Sequence, residues 1–188
     1  MSGKIAPPSF ANPGPAALAG LRRLGGAVIY LATAGGGRQH SPRMSLSDAE
    51  IHALLGDPAQ QPPSARHLGF ELLAFSVAEA WAEVAFSPRP EFANPAGHVQ
   101  GGFVCAMLDD AMGFTASISQ RFAILVPTLQ VCVSYLRPTP ISRVIARGEV
   151  LRMGSATAHL QGLLRLPDGT RLATATATAA LRPFPRPA

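Results

Sequence analysis

Aromatic residues make up only 6% of this 188-residue chain and charged residues only 14%. So few rings leave little on which to stack bases, and no recognisable nucleic-acid-binding module appears, so a nucleic-acid partner is not indicated. Cysteine is nearly absent. Cys105 and Cys132, the two present, sit inside apolar runs, and a zinc site would require a second pair, so no metal site is expected. Both thiols read as buried and reduced. Long hydrophobic stretches are missing too: Arg22, Arg23 and Arg38 bracket the most apolar segment, which falls short of the ~20 residues that cross a bilayer. No membrane partner is expected, and a cytoplasmic location is. What remains, 47% hydrophobic residues, is enough for one ordinary domain with an apolar core.

Acidic residues are absent from residues 1–43, which carry Lys4, Arg22, Arg23, Arg38 and Arg43, the whole of the net charge of +5. With five prolines and eight glycines and no sustained period, this segment reads as an extension outside the fold. Three origins are open for it: an unstructured tail, a secretory signal built on Arg22-Arg23 and the apolar run that follows, or sequence upstream of a true start at Met44. The domain is expected over residues 44–188, beginning with a short helix capped near Ser45 to Asp48 and stopped at Gly56-Asp57-Pro58. Within it, residues 44–120 hold two arginines and nine acids, and residues 121–188 hold nine arginines and two acids. A small polyanionic ligand meeting the C-terminal half fits that split.

Strand-like runs are expected over 67–76 and 79–87, then a long helix near 101–118, then strands over 127–136, 143–152, 155–166 and 171–182. Val104, Met107, Leu108, Ala111, Thr115 and Ile118 form one apolar stripe on the helix. Asp168-Gly169 marks a hairpin turn, and Ala173 to Thr178 alternates with period two. The implied fold class is α+β, an antiparallel sheet of five to six strands around a central helix.

Two features of that helix invite a chemical reading. Asp109 and Asp110 lie mid-helix, where propensity does not favour them; Asp109 shares its side with the small residues Gly102, Cys105, Gly113 and Ala116, which leaves room for a ligand. The alternative for both acids is a wetted face or pairing with the downstream arginines. At the helix start, Gly101-Gly102 leaves backbone N–H groups accessible to a negative group, although such a pair is also an ordinary turn.

The run Asn94-Pro95-Ala96-Gly97-His98-Val99-Gln100-Gly101-Gly102, continued after six residues by Asp109-Asp110-Ala111, resembles the hotdog-fold acyl-CoA thioesterases of the phenylacetate-pathway type and their 4-hydroxybenzoyl-CoA relatives. Asn94, Gly101 and Asp109 keep the family's spacings, while Gln100 stands where the family has His. Thr128 to Pro138, Arg152-Met153-Gly154-Ser155-Ala156 and the strand from Leu172 are also similar, so the resemblance spans roughly residues 65–183. It implies a thioester hydrolase in which Asp109 serves as general base or nucleophile, with Asn94 and Thr128 holding the water or the carboxylate. Gly102 N–H, with Gln100 nearby, would polarise the carbonyl. Arg137, Arg152, Gly154 and Ser155 become candidates for binding coenzyme A, with Arg147 a further one. The resemblance also implies a homodimer or tetramer with shared sites, and no cofactor beyond the coenzyme A of the substrate. Phe103, Met107, Met112 and Phe114, with Trp81 and Phe86, either wall an acyl tunnel or form core. Two rivals stand beside this reading: a hotdog enoyl-CoA hydratase or dehydratase, faintly suggested by Asn94-Pro95 and His98, and a non-catalytic acyl-CoA-binding module.

Overall fold

The computed structural model describes residues 45–183. The expectations for residues 1–43 and for a start at Met44 lie outside the described residues. The described chain opens with α1 (Asp48–Gly56), whose start is fixed by a reciprocal pair in which Ser47 and Glu50 each cap the other's backbone amide. Residues 63–68 depart from expectation: they form a helix, α2 (Pro63–Leu68), where the sequence suggests a strand from residue 67. Pro63 suits a first helical turn, and Gly69 closes the helix in the left-handed region at φ 74°. No other residue type fits there, because a Cβ would lie 2.9 Å from the Ser87 carbonyl oxygen.

Strands β1 (Glu71–Ser76) and β2 (Trp81–Phe86) form the expected hairpin, and a loop leads into α3 (Gly101–Ser119). The rest is β3 (Thr128–Tyr135), β4 (Val144–Met153), β5 (Thr157–Arg165) and β6 (Arg171–Ala180). All pair antiparallel in one sheet of order β1-β2-β4-β5-β6-β3, which leaves β1 and β3 at the edges. This is the six-stranded α+β architecture expected, with α3 lying across the middle of the sheet.

What seats the helix is the absence of side chains beneath it. Gly148 of β4 and Gly162 of β5 are paired across the ladder. A Cβ at Gly148 would stand 2.5 Å from Thr115 Oγ1 and 2.6 Å from the Ala111 carbonyl, and one at Gly162 would press on Met112 and Leu108. The cross-strand glycine pair is therefore a trough that lets the helix backbone touch the sheet. The expected stripe from Val104 to Ile118 is buried there, joined by Met112 and Ala116. Phe86 is fully buried core.

Two expectations about side chains need correction. Cys132 is exposed and Cys105 only half-buried, because β3 is an edge strand and Cys132 faces away from the helix. Part of the positive charge of the C-terminal half is already paired: Arg121 with Asp48, Arg143 with Glu71, Arg147 with Glu83 and with Glu149 of the same half, and Arg165 with Glu83. Arg147 also lies 4.2 Å over the Trp81 ring, so its guanidinium is already engaged by two carboxylates and an aromatic face. Among the described residues of the C-terminal half, Arg137, Arg152, Arg171 and Arg182 are outside any ion pair, and of these Arg137 and Arg152 are the candidates for coenzyme A.

Candidate active site

Asp109 sits two turns into α3, half-buried, and Thr128 Oγ1 donates to its Oδ1 over 2.8 Å. That contact depends on an irregularity. Strict alternation back from Tyr135 through Val133 and Val131 would turn Leu129 to the helix side and Thr128 away. The β3–β6 register shifts between Thr128 and Gln130, so Thr128 opposes Ala179 on the same side as Val131, Val133 and Tyr135. Leu129 is left 61% exposed as the extra residue. The bulge re-aims Thr128 at the carboxylate. Beside Asp109, the Gly113 position is open, with nothing within 4 Å of where a Cβ would stand.

Asp110, also half-buried, differs in its partners. Its Oδ2 is buried with no hydrogen-bond partner among the described residues. Burial first, and the neighbouring Asp109 second, push its carboxyl up to about 7. Cys105, one turn before Asp109, has its thiol pushed up by burial and then by the Asp109 charge.

At the other end of the site, Gln100 caps α3. The Gly102 N–H donates to Gln100 Oε1 over 2.6 Å, while the amides of Phe103 and Val104 reach the Gln100 carbonyl. The donor expected to polarise a carbonyl, Gly102 N–H, is therefore occupied, and the amide left without a partner among the described residues is that of Gly101. Tyr135, which the sequence reading did not single out, donates its hydroxyl to the Gly101 carbonyl over 2.9 Å. Its place in the Thr128 to Pro138 stretch was the available signal. Asn94 is engaged in its own loop: its Oδ1 accepts from the Ala96 and His98 amides. That Asx turn shapes the approach to Gln100.

The structure does not gather these residues into one place within a single chain. Gly101 and Asp109 are separated by eight residues of helix, about 12 Å of rise, so both cannot touch one carbonyl. Thr128 begins β3 and Tyr135 ends it, with Arg137 just beyond, its side chain on the Arg171 carbonyl. Arg152 lies near the end of β4, and Gly154 and Ser155 form the exposed β4–β5 turn. That turn lies at the Thr128 end of the sheet, since the Leu181 amide reaches Ala156 and the Ala180 amide reaches Pro127. One chain therefore carries an acid end (Asp109, Thr128, Arg152, Gly154, Ser155) and an amide end (Gly101, Gln100, Tyr135, Arg137).

The family model of the thioesterase superfamily matches residues 96–173, the stretch that builds both ends. A phenylacetic acid degradation-related protein of Ralstonia eutropha JMP134 is 31% identical, with a TM-score of 0.62 over 69% of this chain and 96% of that one. The chain belongs to the thioesterase superfamily. Two other solved structures share the fold. One is a point mutant of the phenylacetic acid degradation protein PaaI of Thermus thermophilus (24% identity, TM-score 0.56, 63% and 98% of the two chains). The other is a Streptococcus mutans protein bound to acetyl-CoA (21%, 0.55, 61% and 89%). No curated protein matches. The thioesterase fold assigned from the sequence, a hotdog sheet around one helix, is thus the observed one. Among the described residues no group of side chains suited to a metal ion occurs, and no helix is long and apolar enough to cross a membrane.

Proposed function

We propose that this thioesterase hydrolyses acyl-CoA esters to the free acid and coenzyme A, as a homo-oligomer in which each active site is shared by two chains. The observation that carries the reading is the placement of the open Gly101 amide and the Thr128-bound Asp109 carboxylate at opposite ends of an unpaired edge strand. β3 presents unpaired backbone groups and the exposed Leu129, Tyr135 and Leu136, an edge that calls for a partner. A second copy laid antiparallel along β3 brings its amide end to this chain's acid end. The separation of about 12 Å within one chain is then no obstacle.

In such a site the thioester carbonyl oxygen accepts from the Gly101 N–H, at the positive end of α3. Asp109 takes a proton from water as the water oxygen bonds to the carbonyl carbon, or its carboxylate bonds to that carbon directly and the resulting anhydride is cleaved by water. In both routes the C–S bond breaks as the tetrahedral species collapses, and the proton ends on the coenzyme A thiolate. Thr128 holds one carboxylate oxygen and leaves the other towards the substrate. In this reading Arg152 with the Gly154-Ser155 turn, and Arg137 from the other chain, bind the coenzyme's phosphates. Support for coenzyme A as the leaving group comes from the acetyl-CoA bound in the Streptococcus relative.

The test is thiol release from a panel of acyl-CoA esters by the full chain. Release from at least one ester, lost in Asp109→Asn, is expected. Coenzyme binding without turnover on any ester makes the chain a binding module, and loss of enoyl absorbance without thiol release makes it a hydratase.

A further inference from the structure

The peptide joining Gly101 to Gly102 is held at both of its polar ends. Its N–H donates to Gln100 Oε1 at 2.6 Å, and its carbonyl accepts from the Tyr135 hydroxyl at 2.9 Å. Two side chains of different elements thus grip a single peptide plane. That plane is directly joined to the one carrying the free Gly101 N–H, so fixing one restricts the other.

The glycines are explained by the grip. A Cβ on Gly102 would stand 2.8 Å from Gln100 Oε1, too close for the cap to form, and a Cβ on Gly101 would stand 3.3 Å from the Tyr135 ring. Gln100 is also suited to its position, since its backbone at φ −63° and ψ 141° turns the side chain back over the first helical turn. Because Tyr135 belongs to the edge strand β3, the grip ties the amide donor to the same strand that presents Thr128 to Asp109. Burial first, and Cys105 beside it second, push the Tyr135 phenol above its ordinary value, so it keeps its proton and donates.

We propose that Tyr135 and Gln100 act together as a clamp on the 101–102 peptide, positioning the Gly101 N–H for the thioester oxygen, and that Gln100 works through its amide oxygen as a helix cap, with its amide N–H groups not required. This inference rests on the shared-site thioesterase reading and adds two positioning roles to it. Neither side chain needs to touch the substrate. The clamp should therefore act on turnover and leave affinity alone.

The experiment compares the full-length parent with Tyr135→Phe, Gln100→Ala, Gln100→Ser, the Tyr135→Phe/Gln100→Ala double variant and Asp109→Asn, measuring kcat, KM and melting temperature on the best acyl-CoA ester of the panel. Tyr135→Phe, which keeps the ring, and Gln100→Ala should each lower kcat about tenfold with KM within about twofold, a loss of donor alignment. Gln100→Ser, whose hydroxyl caps the same amide but offers no amide N–H, should recover most of the Gln100→Ala loss. The double variant should fall little below the worse single one, since both side chains hold one peptide. An undiminished kcat in Tyr135→Phe, a Gln100→Ser as impaired as Gln100→Ala, or losses that multiply in the double variant would each overturn the clamp. A parent without thioesterase activity, or an Asp109→Asn that keeps it, overturns the underlying reading instead.

Discussion

In the proposed mechanism the two ends of α3 carry complementary halves of one chemistry, built by opposite means. At the amide end the proposed functional group is backbone, and the side chains of Gln100 and Tyr135 hydrogen-bond to the adjoining peptide. At the acid end the proposed functional group is a side chain, and the backbone is what bends: the bulge at Leu129 shifts the register and brings Thr128 onto Asp109. Neither half can act alone, since hydrolysis requires both a stabilised oxyanion and a nucleophile. That the halves are about 12 Å apart on one helix is what gives the β3 edge, unpaired among the described residues, a place in the proposed chemistry as well as in the fold.

The sharpest way to break this comparison is to remove one half at a time. Asp109→Asn keeps the shape and the Thr128 contact but loses the base, and kcat should fall about a thousandfold in the thiol-release assay. Gly101→Pro removes the other half, at the cost of a Cβ 3.3 Å from the Tyr135 ring, which must give by a few tenths of an ångström. The amide it deletes has no internal partner among the described residues, proline is accepted at a first helical position, and Gln100 already holds the extended backbone that a following proline demands. A loss of about a hundredfold is expected. Mixing the two inactive variants after subunit exchange should restore about a quarter of parental activity: half of the random pairs are mixed, and each of those has one site with both halves intact. If mixing restores nothing while exchange is demonstrated, the halves are not shared between chains.

How far the sequence foretold these ends follows from what each is made of. The acid end was legible because an aspartate in mid-helix conflicts with local preference, and the spacing from Asn94 and Gly101 carried the resemblance; the helix, its buried stripe and the strands from β2 onward were legible from periodicity. The choice between Gly101 and Gly102 was not, because it turns on where the Gln100 side chain folds back. Tyr135 was hidden for a related reason: its partner is a backbone carbonyl, which leaves no trace in residue type. The strand expected from residue 67 failed because Gly69 ends a helical turn there, and the reading of Cys132 as buried failed because an apolar run does not distinguish a central strand from an edge; Cys105, on α3, is half-buried because it lies off the helix's buried stripe.

A milder perturbation separates the arginines that remain free from those that are paired. Arg152→Ala, at the acid end, should raise KM for the coenzyme ester about tenfold with kcat little changed, the size expected for one charged hydrogen bond to a phosphate. Arg147→Ala should leave KM alone, because that guanidinium is already held by Glu149, Glu83 and Trp81 on the sheet's outer face. Both arginines stand on the outer face, Arg152 opposite His159 and Arg147 opposite Leu163, so equal effects of the two would mean that the coenzyme does not distinguish the turn end of the sheet from its middle and that the division into ends is wrong.

The smallest effect on turnover, and the most informative on stability, belongs to the neighbouring acid. Asp110 has its carboxyl pushed from 3.8 up to about 7, chiefly by burial. Between those values the folded chain holds a proton that the unfolded chain has released, so stability must fall as pH rises from about 4 to about 7 and level off above, by roughly 4 kcal/mol at most. Asp110→Asn removes the titrating group while keeping its shape. Its stability in urea should match the parent near pH 4 and exceed it at about pH 8 by about 2 kcal/mol or more, with turnover kept within a few-fold of the parent. Two parallel pH profiles would show that Asp110 is not the uncompensated acid its surroundings make it; a loss of turnover as deep as that of Asp109→Asn would move the catalytic role across to its neighbour.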